Sequence, residues 1–380
     1  MIEKIVLNNE CCGCGACSVS CPVNAISIGE NDRGFLVATV DKSICINCGI
    51  CDKVCPAINQ NIDKMEVHTC AIKLIDSKKL MESQSGGAFF AIAEYILEND
   101  GIVYGVSSDN LKNVCTIRVE TLDELIKLQK SKYVQSESAS SFSKVKQDLL
   151  DGYKVFYSGT ACVIQGLKNY LQQSKVRTDN LLTCDLICHG IPSRKVNRDY
   201  INYIEKKNKT RVTDLLYRNK KFGWGSHIST YILENNNLVS NNDEVIIFSK
   251  GYTLSPTCFG CKFTTPYRAA DITIGDFWSL ERVGLSRKQF QQGLSVCLVR
   301  NNEIMKILYY LTETKTIEYT DVELGDAMQW NLERPSVKPE KYEEFWRIYQ
   351  KNRFRNICPV YFVLTKKEKV ARVIRKLINK

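Results

Sequence analysis

No run of apolar residues in this 380-residue chain approaches the roughly 18 that a membrane-spanning helix needs, so a soluble protein is expected. The N-terminus Met1-Ile2-Glu3-Lys4 lacks an apolar signal region and a small-residue cleavage site, which points to a reducing, cytoplasmic setting. No G-x-G-x-x-G fingerprint follows a strand-like run, so an ordinary Rossmann dinucleotide site is not indicated. No nucleic-acid recognition motif accompanies the net charge of +10, and nucleic acid is not an expected partner.

Cysteine, in contrast, is abundant, with 18 residues. In a reducing compartment such crowded thiols read as metal ligands, because thiolates bind soft metals whereas idle surface thiols are an oxidation liability. Cys11, Cys14, Cys17 and Cys21 recur 34 residues later as Cys45, Cys48, Cys51 and Cys55. Both runs have the form C-x2-C-x2-C-x3-C-P, closed by Pro22 and Pro56. Three thiolates on one tight loop can grip three irons of a 4Fe-4S cube, while the fourth cysteine, directed away, ligates the other cube. The expected sets are therefore Cys11, Cys14, Cys17 and Cys55 for one cluster, and Cys45, Cys48, Cys51 and Cys21 for the other. Gly15 and Gly49 follow the second cysteine of each run, where a missing side chain lets backbone N–H groups approach the cluster sulfides. Zinc needs four ligands per site but explains neither the compact third cysteine nor the crossed fourth. Over residues 5–60 the segment resembles the bacterial two-cluster ferredoxins. Cys12 stands outside the pattern and reads as a small packed residue.

The chain is too long for a ferredoxin alone, so a larger core is attached. The repeat stops near residue 62. Beyond it come the apolar helix 88–97 and strand-like runs at 102–106, 154–157, 181–187 and 271–274, with a helix at 161–171. A more antiparallel portion is expected between Thr213 and Phe248, with strands at 228–233 and 244–248 around Asn235-Asn236-Asn237. From about Asn331 a helical tail is expected. The fold class is thus α+β: a ferredoxin-like two-cluster domain at 1–62, an α/β core with a mixed sheet at 63–330, and a helical basic tail at 331–380. In that tail Val370, Val373, Ile374, Leu377 and Ile378 recur at helical spacing among lysines and arginines. Such a basic amphipathic helix packs on the core or meets an anionic membrane surface, making a peripheral position at the inner face of the membrane an alternative.

Cys162, Cys188, Cys258 and Cys261 sit in distinctive contexts, Gly159-Thr160-Ala161-Cys162, Cys188-His189-Gly190-Ile191-Pro192-Ser193 and Cys258-Phe259-Gly260-Cys261. They suffice for a third four-thiolate site. From the residues alone a cluster, zinc or plain buried thiols remain open, and Cys184 is the rival ligand. Cys70, Cys115, Cys297 and Cys358 read as packing.

From about Ser83 to Gly293 the chain resembles the beta subunits of coenzyme F420 hydrogenases and dehydrogenases, with their bacterial relatives and plant hydroxymethyl-chlorophyll reductase. The resemblance is carried by Ser85-Gly86-Gly87, Lys132-Tyr133-Val134-Gln135-Ser136, the two core segments around Cys162 and Cys188, Phe222-Gly223-Trp224, the Cys258–Cys261 knuckle, and the run from Arg268 to Trp278. It implies FAD in the core and a cluster on Cys162, Cys188, Cys258 and Cys261 beside it. Where the family commonly has Pro and Gln around the first core cysteine, this chain has Ala161 and Val163, which bears on the identity of the electron acceptor.

Ser85-Gly86-Gly87 opens a helix, and the N–H groups of a glycine-led first turn suit a pyrophosphate; a simple helix cap is the plainer reading. Thr160 and Arg268 are further candidates for flavin or phosphate contacts. His189 is the candidate proton donor beside the flavin, although a lone histidine also reads as structural. The expected activity is an iron–sulfur flavoprotein oxidoreductase taking electrons from a donor protein or coenzyme through 4Fe-4S clusters to FAD, and on to a small organic substrate. Bacterial relatives suggest a sugar derivative of surface-polysaccharide biosynthesis. The alternatives are an F420-linked subunit of a hydrogenase or formate dehydrogenase, and a non-catalytic electron-transfer subunit.

Overall fold

The computed structural model describes residues 2–60, 62, 66–109, 111–284, 286, 291–356 and 363–371. The cysteine repeat is also a backbone repeat. Gly13 and Asn47 hold φ of 69° and 55°, and Gly15 and Gly49 hold 81° and 72°, so both loops turn through the left-handed region around their second cysteine. Each turn starts a short helix, Ala16–Val19 or Ile50–Val54. A Cβ on Gly15 would lie 2.2 Å from Ala139 Cβ, whereas one on Gly49 would meet nothing within 4 Å. Backbone conformation is the need the two share. Strands β1 (Ile26–Glu30) and β2 (Leu36–Val40) pair antiparallel between the two loops.

The core contains β3 (His68–Leu74), β4 (Ile102–Ser107), β5 (Cys115–Val119), β6 (Val155–Thr160) and β7 (Leu181–Leu186). It continues with β8 (Val212–Leu216), β9 (Ser229–Leu233), β10 (Leu238–Asn241), β11 (Ile272–Asp276), β12 (Ser295–Val299) and β13 (Ile317–Asp321). Eight strands form one sheet in the order β13-β3-β12-β11-β7-β6-β4-β5. β4, β6, β7 and β11 run parallel, and the outer pairs are antiparallel, giving the expected mixed sheet.

Alternation along the strands divides the core into two faces. Phe156, Leu182, Cys184 and Ile272 face the helices Ala88–Glu98 and Asn302–Glu313. Val155, Tyr157 and Leu181 face the other way, in one buried cluster with Ile164 and Leu167 of helix Ala161–Gln173 and with Ile5, Cys14, Cys17 and Val54 of the ferredoxin segment. Each fully buried large apolar side chain contributes about 1.5–3 kcal/mol, so shared packing rather than the linker fixes the cluster loops on the core.

Two expectations change. Residues 244–248 lie in the helix Asp243–Ser249, not in a strand. The turn at Asn236 (φ 62°) is followed at once by β10, which pairs with β9 and leaves the later residues free to coil. Glu244, Val245 and Ile247 are then buried, so tertiary burial overrides the β-branched propensity. The tail is also less uniform than expected: a short helix, Trp330–Glu333, and an irregular stretch precede the helix Tyr342–Asn356, where Trp346 packs edge-on against Phe35 with ring centroids 5.8 Å apart. Residues 366–371 are helical, but Val373, Ile374, Leu377, Ile378 and Cys358 lie outside the described residues. Among the described residues no helix is long and apolar enough to cross a membrane.

Candidate functional site

Four thiols of the ferredoxin segment meet at its contact with the core. Cys14, Cys17 and Cys55 are buried and Cys11 is half-buried. Burial and repulsion among Cys11, Cys51 and Cys55 push the Cys17 thiol well up, and burial raises Cys55 to about 11. Thiolates packed this closely in a low-dielectric surrounding need a compensating cation, which cluster iron supplies. The other set is nearer to water. Cys48 is exposed beside Ile44 and Ile46, and Cys21 Sγ accepts the Ala25 N–H at 3.2 Å.

The core thiols come from three ends of the fold. Cys162 lies in the first turn of helix Ala161–Gln173, directly after β6. Cys188 follows β7, while Cys258 sits on the turn Pro256–Gly260 with Cys261 just beyond. All four line one cavity of about 440 Å³. Burial, then repulsion from Cys162 and Cys261, pushes Cys188 up to about 12. The Ile191 N–H donates to Cys258 Sγ at 3.1 Å, and Thr160 Oγ1 lies 3.2 Å from Cys162 Sγ. Cys184 points into the opposite face of the sheet, buried with Cys70 and Cys297, and is not part of this group. Four thiols gathered from three segments around one cavity are a donor set that fits a 4Fe-4S cubane.

A second cavity, of about 280 Å³, opens beside the first, and Cys12, Thr160, Cys188, His189, Gly190 and Ile191 line both. Ser85 and Gly87 line it with φ of 53° and 83°, and helix Ala88–Glu98 starts there without a side-chain cap. Gly86 does not line the cavity. Its N–H donates to Ser295 Oγ at 2.8 Å, and a Cβ would lie 2.1 Å from Ile72 O, so this glycine lets the turn approach strands β3 and β12 closely rather than offering an amide to phosphate. Arg268 likewise lines the thiol cavity and not the second one. Its Nη1 donates to Leu186 O at 2.8 Å and lies 3.5 Å from Asp185 Oδ1, with both side chains buried. Its charge partly offsets the rise of the Cys188 and Cys261 thiols.

His189 stands on the shared wall, 3.3 Å from Ser336 Oγ through Nδ1 and edge-on to Phe248 at 5.0 Å. Burial lowers its pKa. Lys132, Arg218 and Asp276, none of them a candidate from the sequence, also line the second cavity. Lys132 lines it, its ammonium bonded to Lys127 O at 3.2 Å and its pKa pushed down to about 7 by burial. Arg218 pairs with Asp276 at 2.6 Å, and Trp224 Nε1 donates to the same carboxylate at 2.7 Å. Lys220 is buried behind the wall, donating to Ser85 O at 2.5 Å and Leu80 O at 2.7 Å, which holds the Ser85 turn in place. An uncapped helix start with Lys132 and Arg218 suits an anionic cofactor. Lys132 opens the motif Lys132–Ser136, whereas Arg218 and Lys220 lie outside any motif of the sequence.

The fold and its two cavities can be set beside known proteins. Residues 152–324 match the family described as the C terminus of the coenzyme F420 hydrogenase/dehydrogenase beta subunit, and residues 10–59 match the family described as "4Fe-4S dicluster domain". The first match leaves out the Ser85 turn and the Lys132 segment. The chain is 28% identical over 171 residues to the coenzyme F420-dependent sulfite reductase of Methanocaldococcus jannaschii, covering 44% of this chain and 26% of that protein. It thus spans about a quarter of that relative's length. Ferredoxin-3 of Chlorobaculum tepidum is 39% identical over 60 residues, 14% of this chain and 89% of the ferredoxin. A chain of the F420-reducing [NiFe] hydrogenase complex from Methanosarcina barkeri superposes over 77% of this chain and 94% of its own, at 16% identity and a TM-score of 0.49. Residues 152–324 therefore belong to the coenzyme F420 hydrogenase/dehydrogenase beta-subunit family, joined in this chain to an N-terminal 4Fe-4S dicluster domain.

Proposed function

We propose that this chain is the iron–sulfur flavoprotein component of an F420-linked oxidoreductase, exchanging electrons between a redox partner and the deazaflavin coenzyme. The observation that carries this reading is the shared wall: Cys188 and His189 face the thiol cavity on one side and the Ser85 cavity on the other. Cys11, Cys14, Cys17 and Cys55 would hold one cluster, Cys45, Cys48, Cys51 and Cys21 a second, and Cys162, Cys188, Cys258 and Cys261 a third. Ser85, Gly87, Thr160, Lys132 and Arg218 would hold FAD. When bound, the clusters carry single electrons and the flavin supplies two-electron chemistry at an organic ring.

The protein's own contribution is placement. Lys220 fixes the turn at Ser85, the Asp276 carboxylate fixes Arg218, and Arg268 puts a buried positive charge next to Cys188 and Cys261. His189, on the shared wall, can carry a proton into the second cavity. The exposed loop at Ile44, Ile46 and Cys48 is the natural entry for a partner protein. Family membership and the sulfite reductase relative favour F420 over a sugar derivative of surface-polysaccharide biosynthesis as the two-electron partner.

Stopped-flow mixing of the reduced, reconstituted protein with F420 tests the reading. Oxidation of the protein with formation of reduced F420 is the expected result. No reaction with F420, together with oxidation by a nucleotide-sugar substrate, would overturn it.

A further inference from the structure

We propose that Trp278, stacked on the buried Trp224 at the edge of the second cavity, is the platform on which the planar deazaflavin ring of F420 docks. The inference deepens the reading of the preceding subsection and rests on it. Trp224 and Trp278 each end a motif that carries the family resemblance, and neither has a part in the cluster or flavin assignments. In the fold they meet. Their rings lie nearly parallel, at 10°, with centroids 4.8 Å apart. Neither ring lines the second cavity; the link to it is the pair Arg218 and Asp276, which does. Arg218 Nη1 is 2.6 Å from Asp276 Oδ2, and Trp224 Nε1 donates to Asp276 Oδ1 at 2.7 Å. The Arg218 guanidinium carbon stands 5.6 Å from the Trp278 ring centroid.

The inner ring of the stack is fixed from several sides. Trp224 is buried, its backbone N–H donates to Gln291 O at 3.2 Å, and its carbonyl accepts from Arg218 Nη2 at 3.2 Å. A Cβ on Gly293 would lie 3.0 Å from Trp224 Cδ1, so the chain closes tightly on the indole. Phe277 is buried in the same cluster as Trp224, and its N–H donates to Leu294 O at 3.0 Å. Trp278 is thereby held at the surface, 41% exposed. One exposed apolar side chain is ordinary on a protein surface. An exposed indole seated on a clamped second indole, next to a charged pair on a cavity wall, is instead a stacking surface ordered before its ligand arrives. Little conformational freedom is then lost on binding. Trp330 provides the contrast: it is 48% exposed, but the Arg334 guanidinium carbon lies 3.3 Å from its ring centroid, so that face is already taken. Stacking of a heteroaromatic ring on an aromatic side chain contributes about tenfold or more in affinity.

The test is equilibrium dialysis of oxidised F420 against the full, anaerobically reconstituted chain, with iron and flavin counted in each sample. Wild type is compared with Trp278→Leu, Trp278→Phe and Trp330→Leu. Trp278→Leu keeps an apolar cover over Trp224 and removes the ring. It should retain its iron and flavin, bind F420 about tenfold or more weakly, and raise KM for F420 by a similar factor with kcat little changed. Trp278→Phe should recover most of the affinity, and Trp330→Leu should bind as wild type does. Wild-type affinity in Trp278→Leu would overturn the proposal. So would an equal loss in Trp278→Phe or in Trp330→Leu, or loss of flavin or iron from Trp278→Leu. Wild-type protein that neither binds F420 nor, once reduced, is oxidised by it would sink the F420 reading itself, and the inference with it, before any variant is compared.

Discussion

Glu244 illustrates how strongly one buried side chain can tie this fold to pH. Its carboxyl accepts from Tyr231 OH at 2.9 Å and Asn197 Nδ2 at 3.2 Å, and burial pushes its pKa from 4.5 up to about 7. Between those values the folded chain holds a proton that the unfolded chain has released, so stability falls as pH rises through the window and stays low above it. Glu244→Gln should remove this slope. Relative to wild type the variant should gain stability between pH 5 and pH 8, by at most about 3 kcal/mol, in denaturation midpoints compared at the two pH values. At His189 the expectation concerns rate. His189→Gln should keep iron and flavin but lower F420 reduction by about 10²-fold or more, if the imidazole carries the proton, and leave it unchanged if the ring only packs on Phe248. Individual roles are unevenly legible in the sequence. The cysteines announce themselves by spacing, whereas Lys220 lies in an ordinary Lys-Lys pair and acquires its role only because the fold aims it at Ser85 O. The motif around Arg268 suggests a flavin contact, but the buried Asp185 draws the side chain to the thiol cavity instead.

The helix Ala161–Gln173 joins the two halves of the molecule, since it carries Cys162 at its start and packs its Gly166 on the ferredoxin loop. A Cβ on Gly166 would lie 2.9 Å from Cys14 Sγ and 3.5 Å from Ala16 Cβ. Gly166→Leu should cost about 1–3 kcal/mol by overpacking and release the inner cluster first, leaving about eight irons in a metal analysis. On the opposite side of the cavities, Gly86→Ala would drive a methyl into Ile72 O, opening the turn. That variant should lose flavin while keeping its iron, a separation read from one absorption spectrum with a metal assay. Elements with a simple period are readable in advance: β4, β6, β7 and β11 are short apolar runs, and β6 and β7 lead directly to Cys162 and Cys188. The segment 244–248 is not, because its β-branched composition favours a strand while the contacts of Glu244 and Ile247 that make it helical come from distant residues.

At the scale of the whole molecule the three thiol sets follow one another from the exposed ferredoxin loop to the cavities of the core. The Cys45, Cys48 and Cys51 loop is partly exposed, the Cys11, Cys14, Cys17 and Cys55 set is mostly buried against helix Ala161–Gln173, and the Cys162 set lies beyond it beside the Ser85 cavity. Repetition makes the ferredoxin half legible, because a local motif carries its own ligands. The core half needs the fold, which brings Cys162, Cys188 and the Cys258–Cys261 knuckle together from positions far apart in the chain. Cys162, Cys188, Cys258 and Cys261 are proposed to bind a third cluster, and iron and flavin content of anaerobically reconstituted wild type and Cys258→Ala decides it: about twelve irons with one flavin in wild type and about eight irons in the variant are expected, and about eight in both would contradict it.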